Sequence, residues 1–359
     1  MSGKNLFRKP FDEGTIDKLE IFEDYFKSWL PVFVLQSTKY EIQIFDLFGG
    51  EGKDVKGIYG SPMRILSILN DNKAQIKLNN AKIKVVINEL EKEKYDILIS
   101  NIESIADRSL YQLELYNDDF SKIFYEHYTS MKKSANFLFL DQNGIKQITE
   151  TVFTDLIKLR QTDFIFFISS SYIKRFAEVE EFRKYLSFTK EHFEGKSYYH
   201  IHRIILNYYR SLIPSSMEYF LAPFSIKKPT GIYGLIFGSN HTYGIEKFLS
   251  VCWKHDKLTG EANFDIDNDK IDMQSPRLFP EMNVPSKRQV FERSLEKGIL
   301  KGKLGTNIDV YTFTLNEGFL LKDANTVLKK LKESRKIDFS FKLISSKLHN
   351  ESKSKIKRL

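Results

Sequence analysis

Residues 44–52 read IFDLFGGEG, an apolar run that ends in an acid and a cluster of glycines. The alternation that precedes it from Tyr40 is typical of a β-strand, and the glycines allow a sharp turn. The next segment, SPMRILSIL, predicts a helix with Ser61 as its N-cap and Pro62 as its first residue. Strand, glycine turn and helix in this order predict the first βα unit of an α/β sheet.

Strand and helix patterns continue to alternate up to about residue 170. Four further strands are predicted, at KIKVVINE, LYQLELYNDDF, ANFLFLDQNG and TDFIFFISS. The helical patterns between them, and the wholly apolar last strand, are typical of a doubly wound sheet. Two more strands flank residues 229–231 (PTG) and form a hairpin that closes the sheet. We therefore predict an α/β fold with a Rossmann-like, seven-stranded, mostly parallel sheet that ends in an antiparallel hairpin.

The C-terminal part of the chain has the pattern of a small winged helix-turn-helix domain. The segment VYTFTLNEGFLLKDANTVLKKLKESRKIDFSFK predicts helix, turn, helix and strand, with Gly318 in the turn. The apolar stripe of the second helix leaves an outer face of polar residues that would contact a duplex. The predicted nucleic-acid-binding residues on this face are Lys322, Asn325, Lys329 and Lys332. Winged helices also bind proteins, so the pattern leaves a protein partner open.

Shifts in composition and charge divide the chain into four segments. We predict a first domain over residues 1–256, a Pro- and Asp-rich linker over 257–285, the winged helix-turn-helix over 286–346 and a basic tail over 347–359. The net charge of +8 lies entirely in the last 31 residues, which hold eleven Lys and Arg against three acids. Such a cluster favours contact with nucleic acid. A solvated, disordered tail is the alternative interpretation of the final residues.

Composition also restricts the class of protein. A content of 42% hydrophobic and 28% charged residues is that of a soluble globular protein. The N-terminus lacks the apolar region of a signal peptide, and no apolar run is long enough to cross a membrane. The one cysteine, Cys252, excludes an internal disulfide framework and a cysteine-built zinc site, and the histidines lack metal-ligand spacing. We predict a cytoplasmic protein with no membrane association and no metal.

Polar side chains follow each of the first four predicted strands. Because the carboxyl ends of parallel strands share one edge of a sheet, these side chains are expected to line one ligand crevice. The predicted cofactor-binding residues are Asp46, Phe48, Gly49, Gly50, Gly52, Glu89, Asp118, Asp119 and Phe120. The predicted catalytic residues, after the fourth strand, are Asp141 and Gln142. The acids after the second and third strands also have a simpler interpretation as residues of a helix start.

The spacing of the glycines narrows the class of ligand. In a dinucleotide fingerprint GxGxxG that begins at Gly50, the third glycine would fall at position 55, which is Val55 here. Glu51 would also place a carboxylate beside a pyrophosphate. A nicotinamide cofactor is therefore disfavoured, and the pattern points to an adenosine ligand without phosphates, S-adenosylmethionine (SAM).

The loop DLFGGEG resembles the D-x-F-x-G-x-G motif of class I SAM-dependent methyltransferases. Five longer blocks resemble the three-Cys-motif partner (TcmP) family: KLEIFEDYFKSWLPVF, IFDLFGGEGKDVKGIYGSPMRIL, FLDQNG, TDFIFFISSS and GSNHTYGIEKFLSVCWK. The resemblance covers most of the chain and implies a methyltransferase-like domain followed by a winged helix-turn-helix. It also implies a partner, a neighbouring radical-SAM-type protein with three cysteines.

The resemblance implies a role for each group of cofactor residues. The loop from Asp46 to Gly52 would contact the methionine end of SAM. Glu89 would bind the ribose, and Asp119 with Phe120 would bind the adenine.

The segment after the fourth strand departs from the pattern of amino-group methyltransferases that act on DNA. Those enzymes carry [DN]-P-P-[FY] here, whereas residues 141–144 read DQNG and offer neither prolines nor a ring to stack on a flipped base. Asp141 could still orient a nucleophile. The predicted function is a SAM-dependent methyltransferase, or methyltransferase-like protein, acting on or binding nucleic acid. The alternative is a catalytically inactive methyltransferase-fold partner protein that binds nucleic acid or a neighbour protein in a bacterial defence or modification system.

Overall fold

The computed structural model describes residues 9–36, 40–142, 147–170, 173, 186–187, 190–195, 197–267, 285–344, 348 and 353–359. The chain divides into two compact units, residues 1–240 and residues 241–359. Two predicted features lie partly outside the described residues: the end of the DQNG loop and most of the predicted linker. Within the described part, no helix is long and apolar enough to cross a membrane.

A seven-stranded sheet forms the centre of the first unit. Its strands are β1 (Ile42–Asp46), β2 (Ile83–Asn88), β3 (Gln112–Tyr116), β4 (Ala135–Leu140), β5 (Thr162–Ile168), β6 (Phe220–Lys228) and β7 (Gly231–Ser239). Their order across the sheet is β3-β2-β1-β4-β5-β7-β6. Strands β1 to β5 pair in parallel, whereas β7 is antiparallel to both of its neighbours. The predicted Rossmann-like methyltransferase sheet with an antiparallel hairpin at its end is confirmed.

Helices cover both faces of this sheet. They are α1 (Glu13–Val34), α2 (Ser61–Asp71), α3 (Lys73–Leu78), α4 (Lys92–Glu103), α5 (Phe120–Met131), α6 (Glu150–Lys158) and α7 (Ile201–Ser211). Successive residues of β4 point to opposite faces. The ring of Phe137 stacks on Phe22 of α1 with 5.9 Å between centroids, whereas Leu138 belongs to the core that includes residues of α5, α6 and α7.

Helix α1 brings an aromatic stripe to the sheet. Its N-cap is Asp12, whose Oδ1 accepts a hydrogen bond from the Thr15 N–H at 2.7 Å. Rings spaced three and four residues apart then face the core, and those of Phe26 and Trp29 lie 5.3 Å and 5.4 Å from the Phe137 ring. Burying each such side chain contributes about 1.5–3 kcal/mol, so this stripe fixes the helix on the sheet.

Gly14 allows the first turn of α1 to approach β6 closely. A Cβ at this position would lie 2.6 Å from Lys228 Cγ and 2.9 Å from Ile226 Cγ2. We expect Gly14→Ala to lower the free energy of unfolding by about 1–3 kcal/mol, because the clash outweighs the roughly 1 kcal/mol that alanine adds in a helix. Denaturant unfolding would measure this, with Glu20→Ala, exposed on the same helix, as the control. A Gly14→Ala protein at least as stable as the wild type would contradict the close packing.

The second unit is a winged helix-turn-helix with one additional helix in front of it. Its elements are α8 (Thr242–His255), α9 (Lys287–Leu300), α10 (Asn307–Asn316), α11 (Leu321–Glu333), β8 (Ile337–Asp338) and β9 (Lys357–Arg358). Strands β8 and β9 pair antiparallel. The turn between α10 and α11 contains Gly318 at a φ of 76°, a conformation that glycine adopts without strain. The predicted order of helix, glycine turn, helix and strand is therefore present.

Helix α8 belongs to the second unit, whereas the predicted first domain extends to residue 256. Trp253 of this helix donates from Nε1 to the Gly318 carbonyl at 2.9 Å. Its Glu246 accepts a hydrogen bond from the Tyr311 hydroxyl at 2.8 Å. An amphipathic pattern reveals that a helix has an apolar face but not which core covers that face, so the sequence could not assign α8.

The predicted linker and the predicted tail are both partly packed into the second unit. Just after α8, Thr259 is fully buried, and its carbonyl accepts a hydrogen bond from the Lys287 ammonium at 2.7 Å. Near the C-terminus, the Ile356 N–H donates to the Gly305 carbonyl at 2.8 Å. The interpretation of the final residues as a solvated, disordered tail therefore does not hold for residues 353–359, which supply strand β9.

Candidate functional site

The predicted site lies where the strand order reverses, between β1 and β4, at the carboxyl ends of the strands. Open α/β sheets bind ligands at this position. Burial first, and then the charges of Asp141 and Glu89, raise the pKa of Asp46. The structure thus brings together three carboxyl groups that the sequence places after three different strands.

Asp46 is the most deeply buried of these three acids. Its Oδ1 accepts a hydrogen bond from the Phe48 N–H at 3.3 Å, whereas Oδ2 has no hydrogen-bond partner among the described residues. Burial raises the pKa of Asp46 to about 7, and the nearby Ser61 hydroxyl and the Phe48 N–H oppose this only in part. A buried carboxyl that is half satisfied destabilises the protein unless something pairs with it. Asp46 is therefore a candidate acceptor for a cationic ligand group.

Glu89 holds the glycine loop against the end of β2. Its Oε2 accepts a hydrogen bond from the Gly50 N–H and its Oε1 accepts one from the Glu91 N–H, both at 2.8 Å. Each carboxylate oxygen can accept a second hydrogen bond, so contact with a ribose stays a prediction. The geometry adds a second role for this side chain, which is to hold the loop in place.

Two physical causes favour glycine in this loop: backbone conformation and lack of space for a Cβ atom. Gly50 and Gly52 adopt φ angles of 61° and 84°, which side chains with a Cβ rarely adopt. A Cβ on Gly49 would lie 3.0 Å from Leu98 and 3.1 Å from Ile87, and a Cβ on Gly52 would lie 3.0 Å from Leu98. Gly49 and Gly52 therefore make room for protein side chains, and their predicted contact with the cofactor stays a prediction.

The three predicted residues after β3 are engaged by neighbouring groups. Asp119 is the N-cap of α5, and its Oδ1 accepts a backbone N–H of the first turn at 2.8 Å. Phe120 is buried and stacks on Phe48 with 5.1 Å between ring centroids. Asp118 is half-buried and forms an ion pair with Lys122. The helix-cap interpretation therefore describes Asp119, and adenine contact by this group stays a prediction.

Asp141 and Gln142, the predicted catalytic residues, have different environments. Asp141 is half-buried, and its Oδ2 forms an ion pair with Lys18 of α1. Gln142 is buried, and its Oε1 accepts hydrogen bonds from the Gln147 N–H at 3.0 Å and the Ile148 N–H at 3.2 Å. Gln142 thus shapes the connection to α6, whereas Asp141 lies at the edge of the site with the other two acids.

Sequence reasoning missed two lysines at this edge. The Nζ atoms of Lys18 and Lys228 lie 4.6 Å and 5.4 Å from the centroid of the Phe167 ring. A signal for Lys18 was available, because it falls beside Ile21 and Phe22 on the buried face of α1, where a lysine needs a partner. Lys228 has no comparable signal, since only the strand order brings the end of β6 to this edge.

Two of the predicted nucleic-acid residues on α11 are exposed to solvent. Lys322 has no ion-pair partner in the part of the chain that the structure describes. The Lys329 ammonium lies 3.8 Å from a carboxylate oxygen of Glu333, and both side chains are mostly exposed. Exposed pairs of this kind contribute about 0–1 kcal/mol, so Lys329 can exchange its partner for a phosphate.

The other two predicted residues hold the wing, the segment that follows β8. Asn325 donates from Nδ2 to the Leu343 carbonyl at 2.9 Å. Lys332 donates from Nζ to the Phe339 carbonyl at 2.7 Å. Lys332 is nevertheless exposed and also pairs with Asp338 at 2.8 Å, so one of its three donors remains for a phosphate, whereas Asn325 is partly buried against the wing. Contact of either residue with a duplex stays a prediction.

One protein-family model matches part of the second unit. Residues 265–342 match the family model described as a GMT-like wHTH domain. The matched range contains α9, α10, α11 and β8, the elements already assigned to the winged helix-turn-helix. No curated protein sequence matches the chain.

Solved structures similar to the chain include several methyltransferases. A putative methylase from Haemophilus influenzae is 16% identical with a TM-score of 0.29, and the match covers 60% of this chain and 87% of that one. The O-methyltransferase TomG from Streptomyces achromogenes, solved in complex with SAM, is 8% identical with a TM-score of 0.32 and coverages of 65% and 91%. Because these TM-scores are low, the methyltransferase-like character of the first unit rests on its own strand order and pairing.

Proposed function

We propose that the first unit binds SAM at the carboxyl edge of β1, β2 and β4, and that the protein is a SAM-dependent methyltransferase acting on nucleic acid. The observation that carries this proposal is the buried Asp46 carboxyl, whose Oδ2 has no hydrogen-bond partner among the described residues. Glu89 and Asp141 lie close enough to add negative charge. SAM carries a sulfonium and an α-ammonium group, so its charge suits a site with this excess of acids.

The residues present fit SAM in the following way. Asp46 would pair with the α-ammonium group of the methionine end, and Glu89 would accept hydrogen bonds from the ribose while it holds the glycine loop. Phe48, half-buried and stacked on Phe120, offers a ring edge at the same site. When bound, SAM would supply an electrophilic methyl group. Asp141 would orient the acceptor, since positioning is a large part of what methyl transfer requires.

Two experiments test this function in sequence. Isothermal titration calorimetry of the full-length protein with SAM at pH 8 should give saturable binding to one site. Transfer of a labelled methyl group to duplex DNA, structured RNA or cell extract would then identify the class of acceptor. Absence of SAM binding would reject the methyltransferase function.

The second unit is proposed to supply the contact with nucleic acid. The slope of log K against log salt is negative, and its magnitude grows by about 0.9 for each phosphate that a lysine neutralises. Removing one such lysine therefore reduces the magnitude by about 0.9. We expect Lys322→Gln and Lys329→Gln each to reduce the slope for a duplex by this amount, as measured by fluorescence anisotropy. Lys330→Gln is the matched control, because the Lys330 side chain extends along the side of α11 that packs on α9, where its ammonium lies 3.5 Å from Glu292, and its removal should leave the slope unchanged. Equal slopes for all four proteins would remove α11 as a phosphate contact.

A second candidate function is that of a catalytically inactive partner protein of the TcmP type. The ion pair between Lys18 and Asp141 favours it, because an ammonium already partners one oxygen of the predicted catalytic carboxylate. Such a protein would bind SAM or nucleic acid in the cytoplasm and associate with a three-cysteine radical-SAM-type protein. SAM binding without methyl transfer to any of the acceptors above, together with complex formation with that partner, would support this candidate over the first.

A further inference from the structure

Lys18 occupies an unusual position for a lysine. It lies on the buried face of α1, its side chain is 6% exposed, and its ammonium pairs with Asp141. The same ammonium lies 4.6 Å from the centroid of the Phe167 ring at the end of β5. Burying an ammonium group is expensive unless charge and geometry compensate it. The carboxylate and the aromatic face supply that compensation here.

Lys228 connects the same region to the end of β6. Its Nζ donates to the Thr15 hydroxyl at 2.7 Å and lies 3.6 Å from a carboxylate oxygen of Asp12. Burial, followed by the charge of Lys18, lowers the pKa of Lys228 to about 8, and the charges of Asp12 and Asp141 oppose this shift. These contacts tie the first turn of α1 to the sheet, one turn before Lys18.

The glycine at position 14 completes this attachment. Because a Cβ there would meet the stem of Lys228 at 2.6 Å, the helix and the strand approach as closely as their backbones allow. Gly14 and Lys228 therefore hold the first turn of α1 against β6, and this attachment fixes the position of Lys18 on the next turn. A charged group held in this way is pre-organised, which is the condition for a supporting residue of a functional site.

We propose that Lys18 is a positioning residue for Asp141, which it holds by Oδ2 at the acceptor side of the site so that the other carboxylate oxygen can face the acceptor. The inference rests on the proposed function, because it gives Asp141 the role of orienting an acceptor. It assigns to α1 a function beyond packing, because this helix supplies the ammonium group that compensates the charge of Asp141. The acceptor group that fits the remaining oxygen is a hydrogen-bond donor such as an amine or an amide N–H.

The test measures the charge at the site through Asp46 and needs no cofactor. In protein labelled with ¹³C at aspartate carboxyl carbons, the Asp46 resonance would be assigned by its loss in Asp46→Asn and followed from pH 4 to 10. Because the Asp141 charge contributes to the raised pKa of Asp46, removing the Lys18 ammonium leaves that charge uncompensated. We expect the Asp46 midpoint in Lys18→Met to rise by about 0.5–1 unit.

Two further variants test the direction of the shift in the Asp46 midpoint. Asp141→Asn should move the Asp46 midpoint downward, the opposite direction, because it removes a repulsive charge. Lys18→Arg should restore the wild-type midpoint, since it restores the positive charge. Lys27→Met is the matched control, an exposed lysine of the same helix that pairs with Glu23, and it should leave the midpoint unchanged.

The outcomes separate this inference from the proposed function. An unchanged midpoint in Lys18→Met, or shifts of the same sign in Lys18→Met and Asp141→Asn, would overturn the positioning role even if SAM binds. A failure of wild-type protein to bind SAM would reject the proposed function and leave the titration readable. If Lys18→Met fails to fold, Asp141→Asn alone decides: a downward shift supports the coupling, and no shift overturns it. SAM affinity at pH 8 should change less than threefold in folded Lys18→Met, because Lys18 holds Asp141 and makes no contact with SAM.

Discussion

Replacing Asp46 by asparagine is expected to weaken SAM binding at pH 8 by about 30- to 4000-fold while leaving the protein folded. Truncating one partner of a buried charge pair costs about 2–5 kcal/mol, and each 1.4 kcal/mol corresponds to a factor of about ten in affinity. Isothermal titration calorimetry on the full-length proteins would measure the change. Asp96→Asn is the control, because Asp96 is exposed on α4 and pairs with Lys92. Equal affinities of wild type and Asp46→Asn would remove Asp46 from the site.

The same substitution has an opposite expected effect on the protein without ligand. The pKa of Asp46 is about 7 in the folded protein, raised by burial from an ordinary value of 3.8. Between these values the folded state binds a proton that the unfolded state has lost, so stability falls as pH rises from about 4 to about 7. The penalty above pH 7 is on the order of 4 kcal/mol. Asp46→Asn removes this penalty, so its Tm at pH 8 should match or exceed that of the wild type.

The same titration of Asp46 gives SAM affinity a pH dependence of the opposite sign. A cationic ligand prefers the ionised Asp46, so affinity should fall as pH decreases below about 7 and should lose this dependence in Asp46→Asn. Buried Asp163, whose pKa burial raises to about 6, contributes to stability in the same direction but lies at the opposite end of β5. Its contribution should persist in the Asp46 variant.

Replacing Trp253 by alanine is expected to destabilise the second unit by about 3–5 kcal/mol. Trp253 is almost fully buried, packs on Phe319 with 5.5 Å between ring centroids, and donates to the carbonyl of Gly318 in the turn of the helix-turn-helix. The guanidinium of Arg288 also lies 5.3 Å from its ring. Loss of the indole leaves both a cavity and an unpaired carbonyl at the turn.

Thermal unfolding followed by calorimetry and far-ultraviolet circular dichroism would measure this effect in the full-length protein. We expect a low-temperature transition in Trp253→Ala, together with weakened nucleic-acid binding and retained SAM binding. Trp253→Phe keeps an aromatic ring but loses the hydrogen bond and part of the buried ring, so it should cost less than Trp253→Ala, about 1–3 kcal/mol. Val290→Ala, at an exposed position of α9, should behave as wild type. If Trp253→Ala leaves nucleic-acid binding unchanged but abolishes SAM binding, the assignment of α8 to the second unit is wrong.

Local patterns were sufficient wherever one residue's role depends on its immediate neighbours. The strand from Ile42 and the turn at Gly318 follow from apolar periodicity and glycine, which act within a few residues. For the same reason the sequence located the acids after β1, β2 and β4, which the fold then brings to one edge. Once the strands are recognised in the sequence, the polar residues at their ends are recognised as well. The start of α2 differs by one residue from the prediction, because Gly60 is the N-cap and Ser61 is the first helical residue, with no side-chain cap.

Roles that depend on distant partners were not accessible in this way. Asn325 has the outward spacing of a duplex contact, yet its side-chain amide donates to a carbonyl of the wing that follows β8. Asp119 has the chemistry of an adenine ligand and caps its own helix. In each case two partners compete for one polar group, and the nearer partner is known only once the chain is folded.

The sequence by itself determined the class of sheet, the presence of a winged helix-turn-helix and the acids at the ligand-binding edge, because these depend on short-range periodicity and on the common direction of parallel strands. Only the tertiary structure decided that α8 joins the second unit, that the last residues form strand β9, and that Lys18 and Lys228 meet at the Phe167 ring. The physical reason is that burial and ion pairing are made between segments far apart in the chain, up to 213 residues for Lys228 and Thr15. A one-dimensional pattern contains no record of those pairings.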